Sequence, residues 1–499
     1  THVAFATGVV NPQRWSSPLR HVLPRLDVGV WIFFVLSGLF ICRPYVRAAL
    51  GGTEPAPTRT YALRRLSRVY PLYWFVLGVS VLTAAGPRPP SGQLLADVLL
   101  LNVYVPAWAI GPITQWDTAH WPTHNAGEIP DFNPRAMVDD RKLHKLIRRT
   151  DMVGLYAAAQ AIERSGIVAH RDALADDAAA AYSDRTGVIV GSGGGNFQNQ
   201  YDYFPLLTEA DEALSVFGRE LPNVVNPMWL LRTLPNNVLG HIGIKHNFKG
   251  TNACITSHSI GGLLAVSEAF EALRAGEAER VVAVGHETPI EPQMVLYYHR
   301  LGLLANESLR PFDAARDGSQ FGEGAGALVL ETEASARERN APVLGEVLGT
   351  GSATEAVGLL AIREDGDGPA RAMAMALDDA GIVPADVGMI VAHANGTPAS
   401  DASEAVAIRR VFGDRAPPVT GFKWAFGHLI AAAGILETAV GLAALARNTV
   451  PGIANLRTLD PVCAGLPISA APQVPRSKVV LVVCRGFAGT NVAVVLRGA

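Results

Sequence analysis

The most informative stretch of this chain is the run Thr251-Asn-Ala-Cys-Ile-Thr-Ser-His-Ser-Ile-Gly-Gly262, which leads a cysteine into an alanine-rich amphipathic segment. Apolar residues recur at roughly helical spacing at the end of this run and beyond it, which predicts a core helix over residues 260–274. Cys254 is therefore expected at the N-terminal end of a buried helix, where unpaired backbone N–H groups stabilise a thiolate. A lone cysteine in such a place is more often a small core residue than a nucleophile, so its surroundings must decide. The Gly261-Gly262 pair indicates close packing against another backbone.

Outward from this run, strand-like apolar stretches alternate with alanine-rich helical ones, which predicts an α/β domain. The candidate strands are 187–190, 280–284, 325–331, 389–393 and 478–483. The candidate helices are 151–165, 260–274, 368–380, 401–411 and 429–447. No linker interrupts this alternation, so we expect one continuous domain after about residue 121.

Composition excludes several classes of protein. The chain has 499 residues, 49% of them apolar, which is enough for large cores. Its four cysteines, Cys42, Cys254, Cys463 and Cys484, lack the spacing of a disulfide framework or a zinc site. We expect no metal and no redox cofactor, and a reducing, cytoplasmic compartment. No basic stripe interleaved with aromatic residues indicates nucleic-acid binding.

Two glycine-flanked histidines follow the cysteine run. The stretch 389–398 reads as a buried strand that delivers His393 to a Gly/Pro turn at its C-terminal end, where open α/β sheets place their chemistry. The stretch 421–428 presents His428 just before a predicted helix, whose N-terminus disfavours the imidazolium. Each histidine alone is more often structural than catalytic. Together with Cys254 they outline a thiol enzyme.

Further motifs accompany these three residues. They are Leu234-Pro-Asn-Asn-Val-Leu-Gly-His241, Leu309-Arg-Pro-Phe-Asp-Ala-Ala-Arg-Asp-Gly318, Phe321-Gly-Glu-Gly-Ala-Gly326 and Gly486-Phe-Ala-Gly-Thr-Asn491. In this order they resemble the β-ketoacyl-ACP synthases, the condensing enzymes of fatty acid and polyketide synthesis, over about residues 122–499. The resemblance implies an α/β, thiolase-like core layered α/β/α/β/α and a homodimer. Its two halves would be residues 121–335, with the nucleophile, and 336–499, with both histidines.

The resemblance also implies roles for single residues. Cys254 would accept the acyl group, while His393 and His428 would assist decarboxylation of a malonyl thioester and stabilise the enolate. Lys423 matches the family lysine, and Glu404 matches its supporting acid. On the substrate side, backbone N–H groups of Cys254 and Phe487 would form an oxyanion hole. The expected substrate-binding residues are Phe487, which would gate the pocket, Gly486 in the same loop, Thr397, which would contact the phosphopantetheine arm, and Asn395 beside Thr397.

The condensation reaction itself requires a thiol and hydrogen-bond donors of this kind. Joining two acyl units needs a covalent thioester holder and a carbanion made beside it, and loss of CO2 supplies that carbanion without a strong base. Two neutral imidazole N–H donors aimed at one thioester oxygen act as an oxyanion hole. The expected partner is an acyl carrier protein, whose phosphopantetheine arm carries the substrates, and no further cofactor is required.

Residues 1–120 have a different character, with ten arginines, no lysine and four acidic residues. Apolar stretches at 28–42, 70–85 and 94–110 approach the length of a membrane span, and the arginines between the first two suit a cytoplasmic loop. Buried helices of a soluble domain are the alternative. We expect an α-helical segment with membrane contact through 28–110, which would bring the chain to the membrane.

The same segment resembles the membrane acyltransferases that O-acylate sugars. The matching runs are Leu26-Asp-Val-Gly-Val-Trp-Ile-Phe-Phe-Val-Leu-Ser-Gly38 and Arg64-Arg-Leu-Ser-Arg-Val-Tyr-Pro-Leu-Tyr73, with His2 in the place of a family histidine. The arginine expected before His2 and most of the helices are missing, so a truncated fusion or an artefact is expected rather than a working O-acyltransferase.

Two departures from the synthase pattern set further expectations. Ala394-Asn395 stands where the family commonly has Gly-Thr, which alters one pantetheine or loop contact. The family's first strand should precede residue 125, where the acyltransferase-like segment lies, and only residues 1–12 faintly resemble it. A missing central strand would leave a gap in the core and compromise activity. A catalytically impaired partner of the chain-length-factor type is the remaining alternative.

Overall fold

The structure, a computed structural model, describes residues 110–194, 203–211 and 213–499. Its helices are α1 Pro134–Met137, α2 Arg149–Ser165, α3 Ile167–Asp172, α4 Asp176–Asp184, α5 Phe204–Glu209, α6 Leu214–Val224, α7 Trp229–Thr233, α8 Asn237–His246, α9 Gly261–Arg274, α10 Pro292–Arg300, α11 Glu333–Glu338, α12 Asp367–Asp379, α13 Pro398–Phe412, α14 Lys423–Phe426 and α15 Ala433–Ala446. Its strands are β1 Ile110–Pro112, β2 Asn125–Gly127, β3 Thr186–Ser192, β4 Asn252–Ile255, β5 Arg280–Glu287, β6 Gly324–Glu331, β7 Gly345–Thr354, β8 Met389–Val391, β9 Val419–Thr420, β10 Val479–Gly486 and β11 Thr490–Gly498.

The chain divides into two compact units, Thr1–Ala107 and Trp108–Ala499. The predictions for His2 and for the spans within 28–109 lie outside the described residues. The proposed domain limits, 1–120 and 121–499, remain predictions. Across the portion that is described, no helix has both the length and the apolar character needed to traverse a bilayer.

Two sheets organise the larger unit, one with the order β7-β11-β10-β8-β9 and the other with the order β4-β3-β5-β6. Helices α9 and α15 contact strands of both sheets, so they lie between them. Helices α2 and α8 cover the outer face of the four-stranded sheet, and α12, with α13 against it, covers the five-stranded sheet. These layers run α/β/α/β/α, as expected from the sequence.

The two sheets repeat one pattern of strand directions. In the larger sheet β9, β8 and β10 are parallel neighbours, β11 is antiparallel to β10, and β7 at the edge is antiparallel to β11. In the smaller sheet β4, β3 and β5 are parallel neighbours, followed by antiparallel β6. Among the described strands, the counterpart of β7 beside β6 is therefore the one missing. That position is an edge, so the expectation of a gap at a central strand was wrong.

Periodicity identified all the predicted strands and helices, although their ends differ from the predicted ones. The strands that it missed are β1, β2, β4, β7, β9 and β11, and β7 shows why. Its sequence Gly-Glu-Val-Leu-Gly-Thr-Gly-Ser-Ala-Thr has few apolar residues because α12 packs onto its glycines. A Cβ at Gly351 would lie 2.3 Å from the backbone oxygen of Ala372, so a larger residue cannot stand there.

Two carboxyl groups are buried where β5 ends and α10 begins. Burial raises the pKa of Glu291 to about 8, and the nearby Glu287 adds to the shift. The folded-state pKa thus exceeds the ordinary value of 4.5, so the stability that Glu291 contributes is complete below pH 4.5 and is lost as pH rises towards 8.

Glu291→Gln is therefore expected to become more stable relative to the parent protein as pH rises. The gain is at most about 1.4 kcal/mol per pH unit, because the amide has no charge to bury. Urea unfolding at several pH values between these limits measures the difference, with the exposed Glu338→Gln as control. A difference that is constant with pH would contradict the burial of this charge.

Candidate functional site

The two predicted histidines meet at the carboxyl end of the larger sheet. His393 follows β8, and His428 precedes the short helical turn 430–432 that leads into α15. Their ring centroids are 5.2 Å apart and the ring planes cross at 80°. Burial, with the charge of Lys423 second, lowers the pKa of both imidazoles well below the usual range. His428 is neutral, as expected, but the main cause is burial rather than a helix N-terminus.

A buried ion pair lies directly behind His393. Lys423 Nζ donates to the His393 carbonyl oxygen at 2.6 Å and to Glu437 Oε1 at 2.7 Å, and both charged side chains are fully buried. Glu404, the expected acid, instead accepts the backbone N–H groups of His393 and Ala394 at 2.7 and 2.9 Å. Lys423 and Glu404 therefore both hold the His393 backbone, but the ion-pair partner is Glu437.

Sequence reasoning missed Glu437, although a signal was present. It is the single acidic residue in α15, whose sequence is otherwise apolar apart from one threonine. A carboxylate on a buried helix almost always has a partner, because an unpaired buried charge is costly. Burial raises the pKa of Glu437 to about 7, and the Lys423 ammonium opposes that shift.

The tautomer of His428 is set by the backbone. The Ile430 N–H donates to His428 Nδ1 at 3.2 Å, so a neutral ring carries its proton on Nε2. Ile430 has φ +46°, an unusual value for a β-branched residue. Such strain costs on the order of 1–3 kcal/mol and persists only where the surrounding structure imposes it. The fold thus holds an N–H donor at His428 Nε2.

Cys254 lies elsewhere in the structure than expected. It belongs to β4, which pairs with β3 so that Cys254 lies opposite Val190, and α9 begins only at Gly261. Its thiol donates to the Pro235 carbonyl oxygen at 3.3 Å, ahead of α8. The prediction of a thiol at a helix N-terminus was therefore wrong. Burial raises the pKa of Cys254 instead of stabilising its thiolate.

The direction of the Cys254 side chain follows from strand alternation. Ala253 and Ile255 pack against the core cluster between the sheets, which also contains Ile260 and Cys484. Because neighbouring side chains of a strand point to opposite faces, Cys254 points away from that cluster. Among the described residues, no hydrogen bond links the Cys254 thiol to the ring of His393 or to that of His428.

Close packing of the glycine pair was predicted correctly. A Cβ at Gly262 would lie 2.4 Å from the Ala431 carbonyl oxygen, and one at Gly191 would lie 2.3 Å from the Gly261 backbone. The start of α9 therefore contacts both β3 and the turn after His428. This contact brings residues 258–260 next to the histidine pair.

Three residues that sequence reasoning did not assign to the site touch the histidines or their neighbours. Ser259 Oγ lies 3.2 Å from His428 Nε2, and Cys484 Sγ lies 3.7 Å from His393 Nδ1. His258 Nδ1 lies 2.9 Å from Ser259 Oγ. No short motif announces Ser259 or Cys484, because their neighbours come from distant parts of the chain.

The predicted substrate-binding residues form two loops beside this pair. Phe487, in the turn 487–489, stacks on His258 with ring centroids 4.6 Å apart, and Gly486 ends β10 directly before it. A Cβ at Gly486 would lie 2.8 Å from Thr490 Oγ1. In the loop after His393, Asn395 Oδ1 accepts both the N–H and the hydroxyl of Thr397 at 3.1 and 2.9 Å. Their roles in binding remain predictions.

No group of histidine, cysteine and acidic side chains suited to a metal ion occurs among the described residues. What the site offers is two neutral imidazoles, N–H donors and thiols. Such groups suit acyl chemistry on a thioester, since they polarise an oxygen and hold an acyl group.

Two family models match the chain. The beta-ketoacyl synthase N-terminal domain matches residues 81–336, and the C-terminal domain matches residues 344–457. The first match begins before the described residues, so it includes residues 81–120, which the sequence analysis placed in a separate segment.

Relatives and solved structures agree with these matches. The 3-oxoacyl-[acyl-carrier-protein] synthase 2 of Coxiella burnetii is 31% identical over 430 residues, which is 83% of this chain and 97% of that protein. The enzyme of the same name from Staphylococcus aureus strain COL is 32% identical over 395 residues, 77% of this chain and 89% of its own length. The ishigamide ketosynthase/chain length factor superposes with a TM-score of 0.68 at 28% identity, covering 79% of this chain and 92% of that one. The chain belongs to the beta-ketoacyl synthase family.

Proposed function

We propose that the chain catalyses decarboxylative Claisen condensation, joining an acyl thioester to malonyl-ACP to give β-ketoacyl-ACP in fatty acid or polyketide synthesis. The observation that carries the proposal is the pair of buried, neutral imidazoles with ring centroids 5.2 Å apart. Two N–H donors in a dry site stabilise the enolate oxygen that forms as CO2 leaves, and loss of one such donor typically costs about 100-fold or more in rate.

The reaction balances in two stages. The acyl group moves from its carrier thioester to Cys254 Sγ, and the thiol proton goes to the departing carrier thiol. Decarboxylation of the malonyl thioester then leaves an enolate, whose carbon attacks the acyl carbonyl on Cys254. The carbon–sulfur bond to Cys254 breaks and the thiolate takes up one proton. One proton is therefore consumed per turnover.

Cys254 is the thiol we assign to this role. Of the three cysteines that the structure describes, it alone is partly exposed, whereas Cys463 and Cys484 are buried. Burial also raises the pKa of Cys484 to about 12, which leaves it almost no thiolate at neutral pH. The proposal requires the segment 254–260 to turn the Cys254 thiol towards the histidines when an acyl carrier binds.

The carrier is an acyl carrier protein in this proposal, because the two curated relatives are named for one. Thr397 and Asn395 would contact the phosphopantetheine arm, and Phe487 would gate the pocket. Their positions on the loops flanking His393 and His428 support this assignment. No further cofactor is needed for the two stages.

Mass spectrometry after incubation with acyl-ACP tests the proposal. We expect one acyl adduct, mapped by peptide digestion to Cys254 and absent from the peptides of Cys463 and Cys484. An adduct on Cys484 would instead identify that thiol, which lies beside His393, as the nucleophile. A folded sample without any adduct would instead favour the non-catalytic partner of chain-length-factor type.

We also propose that the protein forms a homodimer. Among the described strands β4 is an edge of the four-stranded sheet, a place where the same strand of a second copy could pair. Sedimentation velocity of the intact chain distinguishes a dimer from a monomer, and a monomer at all concentrations would refute this.

A separate proposal concerns the origin of the N-terminal segment. We propose that residues 1–120 derive from a membrane acyltransferase and contact the membrane through 28–110, while the synthase part lies in the cytoplasm. The support is the sequence resemblance of that segment alone. Sequencing the transcript across residues 110–130 shows whether the two parts are encoded together.

A further inference from the structure

A chain of hydrogen bonds connects His428 to helix α10. His428 Nε2 lies 3.2 Å from Ser259 Oγ, and Ser259 Oγ lies 2.9 Å from His258 Nδ1. His258 Nε2 in turn lies 2.5 Å from the Tyr298 hydroxyl. All four side chains are largely or fully buried, so water does not compete strongly for these bonds.

The direction of every bond in this chain follows from one backbone donor. The Ile430 N–H occupies His428 Nδ1, so His428 must donate from Nε2 to Ser259 Oγ. The Ser259 hydroxyl then has its own proton free to donate to His258 Nδ1. Burial lowers the pKa of His258 to about 4, so the ring is neutral and carries its single proton on Nε2, from where it donates to Tyr298.

Packing holds His258 in this arrangement. Its backbone has φ +51°, and its ring packs against two aromatic rings that also contact each other. The Phe487 centroid is 4.6 Å away at 23°, and the Tyr298 centroid is 6.2 Å away at 17°. Both His258 nitrogens are therefore used and its ring is stacked, so the residue has one orientation available.

We propose that Tyr298, His258 and Ser259 are positioning residues that fix the orientation of the His428 ring, with its Nε2–H directed at the reacting thioester, for decarboxylation of the malonyl thioester. This inference rests on the proposed function of His428. Ser259 Oγ occupies, in the free enzyme, the acceptor position that the thioester oxygen takes in the complex. The ring is thus already aimed when substrate arrives, and no reorientation is needed during the reaction.

Removing the Tyr298 hydroxyl has a defined consequence. In Tyr298→Phe, His258 Nε2–H loses its acceptor inside the protein, so the His258 proton moves to Nδ1 and donates to Ser259. Ser259 Oγ then receives two donors, and its own proton has no acceptor. His428 then shares the Ser259 oxygen with a second donor, so the restraint on its ring weakens although both catalytic histidines remain. Because a displacement of about 1 Å at a reacting group can cost about a hundredfold in rate, we expect a rate lower by about tenfold to a hundredfold.

The test compares Tyr298→Phe with Tyr297→Phe, the same substitution at a neighbouring half-exposed tyrosine. Nitrogen-15 NMR of histidine-labelled full-length protein reports the His258 tautomer, with a His258→Asn variant for assignment. We expect Nε2–H in the parent and in Tyr297→Phe, and Nδ1–H in Tyr298→Phe. We also expect Tyr298→Phe to lower kcat for malonyl-ACP decarboxylation at unchanged KM, with normal acylation of Cys254.

The outcomes separate the two proposals. If Tyr298→Phe keeps the parent tautomer and decarboxylates as fast as Tyr297→Phe, the positioning role is overturned. If the parent protein fails to decarboxylate malonyl-ACP, the proposed function fails, and the NMR comparison still decides whether the chain sets the His258 tautomer. Ser259→Ala gives a second measure. The same loss in kcat is expected, because this substitution removes the hydrogen bond between Ser259 and His428.

Discussion

Cys254→Ala is expected to abolish β-ketoacyl-ACP formation while leaving measurable decarboxylation of malonyl-ACP. Without the thiol no acyl group can be held, so the enolate has no electrophile to attack. The two imidazoles that stabilise the enolate are untouched, because Cys254 lies on β4 and does not contribute to their hydrogen bonds. Product analysis by mass spectrometry and release of labelled CO2 measure the two activities separately.

Cys463→Ala is the matched control for that experiment. Cys463 is a buried cysteine in a different core cluster and takes no part in the proposed chemistry. It should retain condensation, apart from a loss of stability of a few kcal/mol at most from the small cavity. Unchanged ketoacyl product from Cys254→Ala would refute the assignment of the nucleophile, and Cys484→Ala would then be the next variant to assay.

Lys423→Met is expected to lower the free energy of unfolding by about 3–5 kcal/mol and to remove condensation activity. Both charges of the Lys423–Glu437 pair are fully buried, so removing one leaves the other without a partner. Among the described residues one oxygen of Glu437 already has no hydrogen-bond partner, and the substitution would remove the partner of the other. The His393 carbonyl also loses its donor. Urea unfolding and the condensation assay measure the two effects.

The double variant Lys423→Met, Glu437→Leu separates stability from function. Replacing a buried ion pair by apolar groups of similar size is often neutral or stabilising, so most of the lost stability should return. Activity should not return, because His393 still lacks the Nζ donor. Arg274→Met removes an exposed ion pair to Asp379 and is expected to cost no more than about 1 kcal/mol. Full activity in the double variant would contradict a positioning role for Lys423.

Local patterns in the chain predicted much of the core. The apolar run of β10 and the alanine-rich α9 can be recognised from sequence, because side chains return to the same face every two residues in a strand and every 3.6 residues in a helix. His393 and His428 could be predicted because each follows a recognisable run of glycines and apolar residues. The partner of Lys423 could not, since Glu404 and Glu437 are both acids on nearby helices and only packing distinguishes them.

Periodicity within short stretches was enough to predict an α/β domain, and motifs within short stretches were enough to indicate the family, its layered core and the pair of histidines. The direction of the Cys254 side chain and the surroundings of His428 depend on contacts between distant segments. The register of β4 against β3 sets the face of Cys254, and a shift by one residue would reverse it. The chain from His428 to Tyr298 likewise exists because α9, α10 and the turn 430–432 pack together, and no local pattern specifies contacts between segments so far apart.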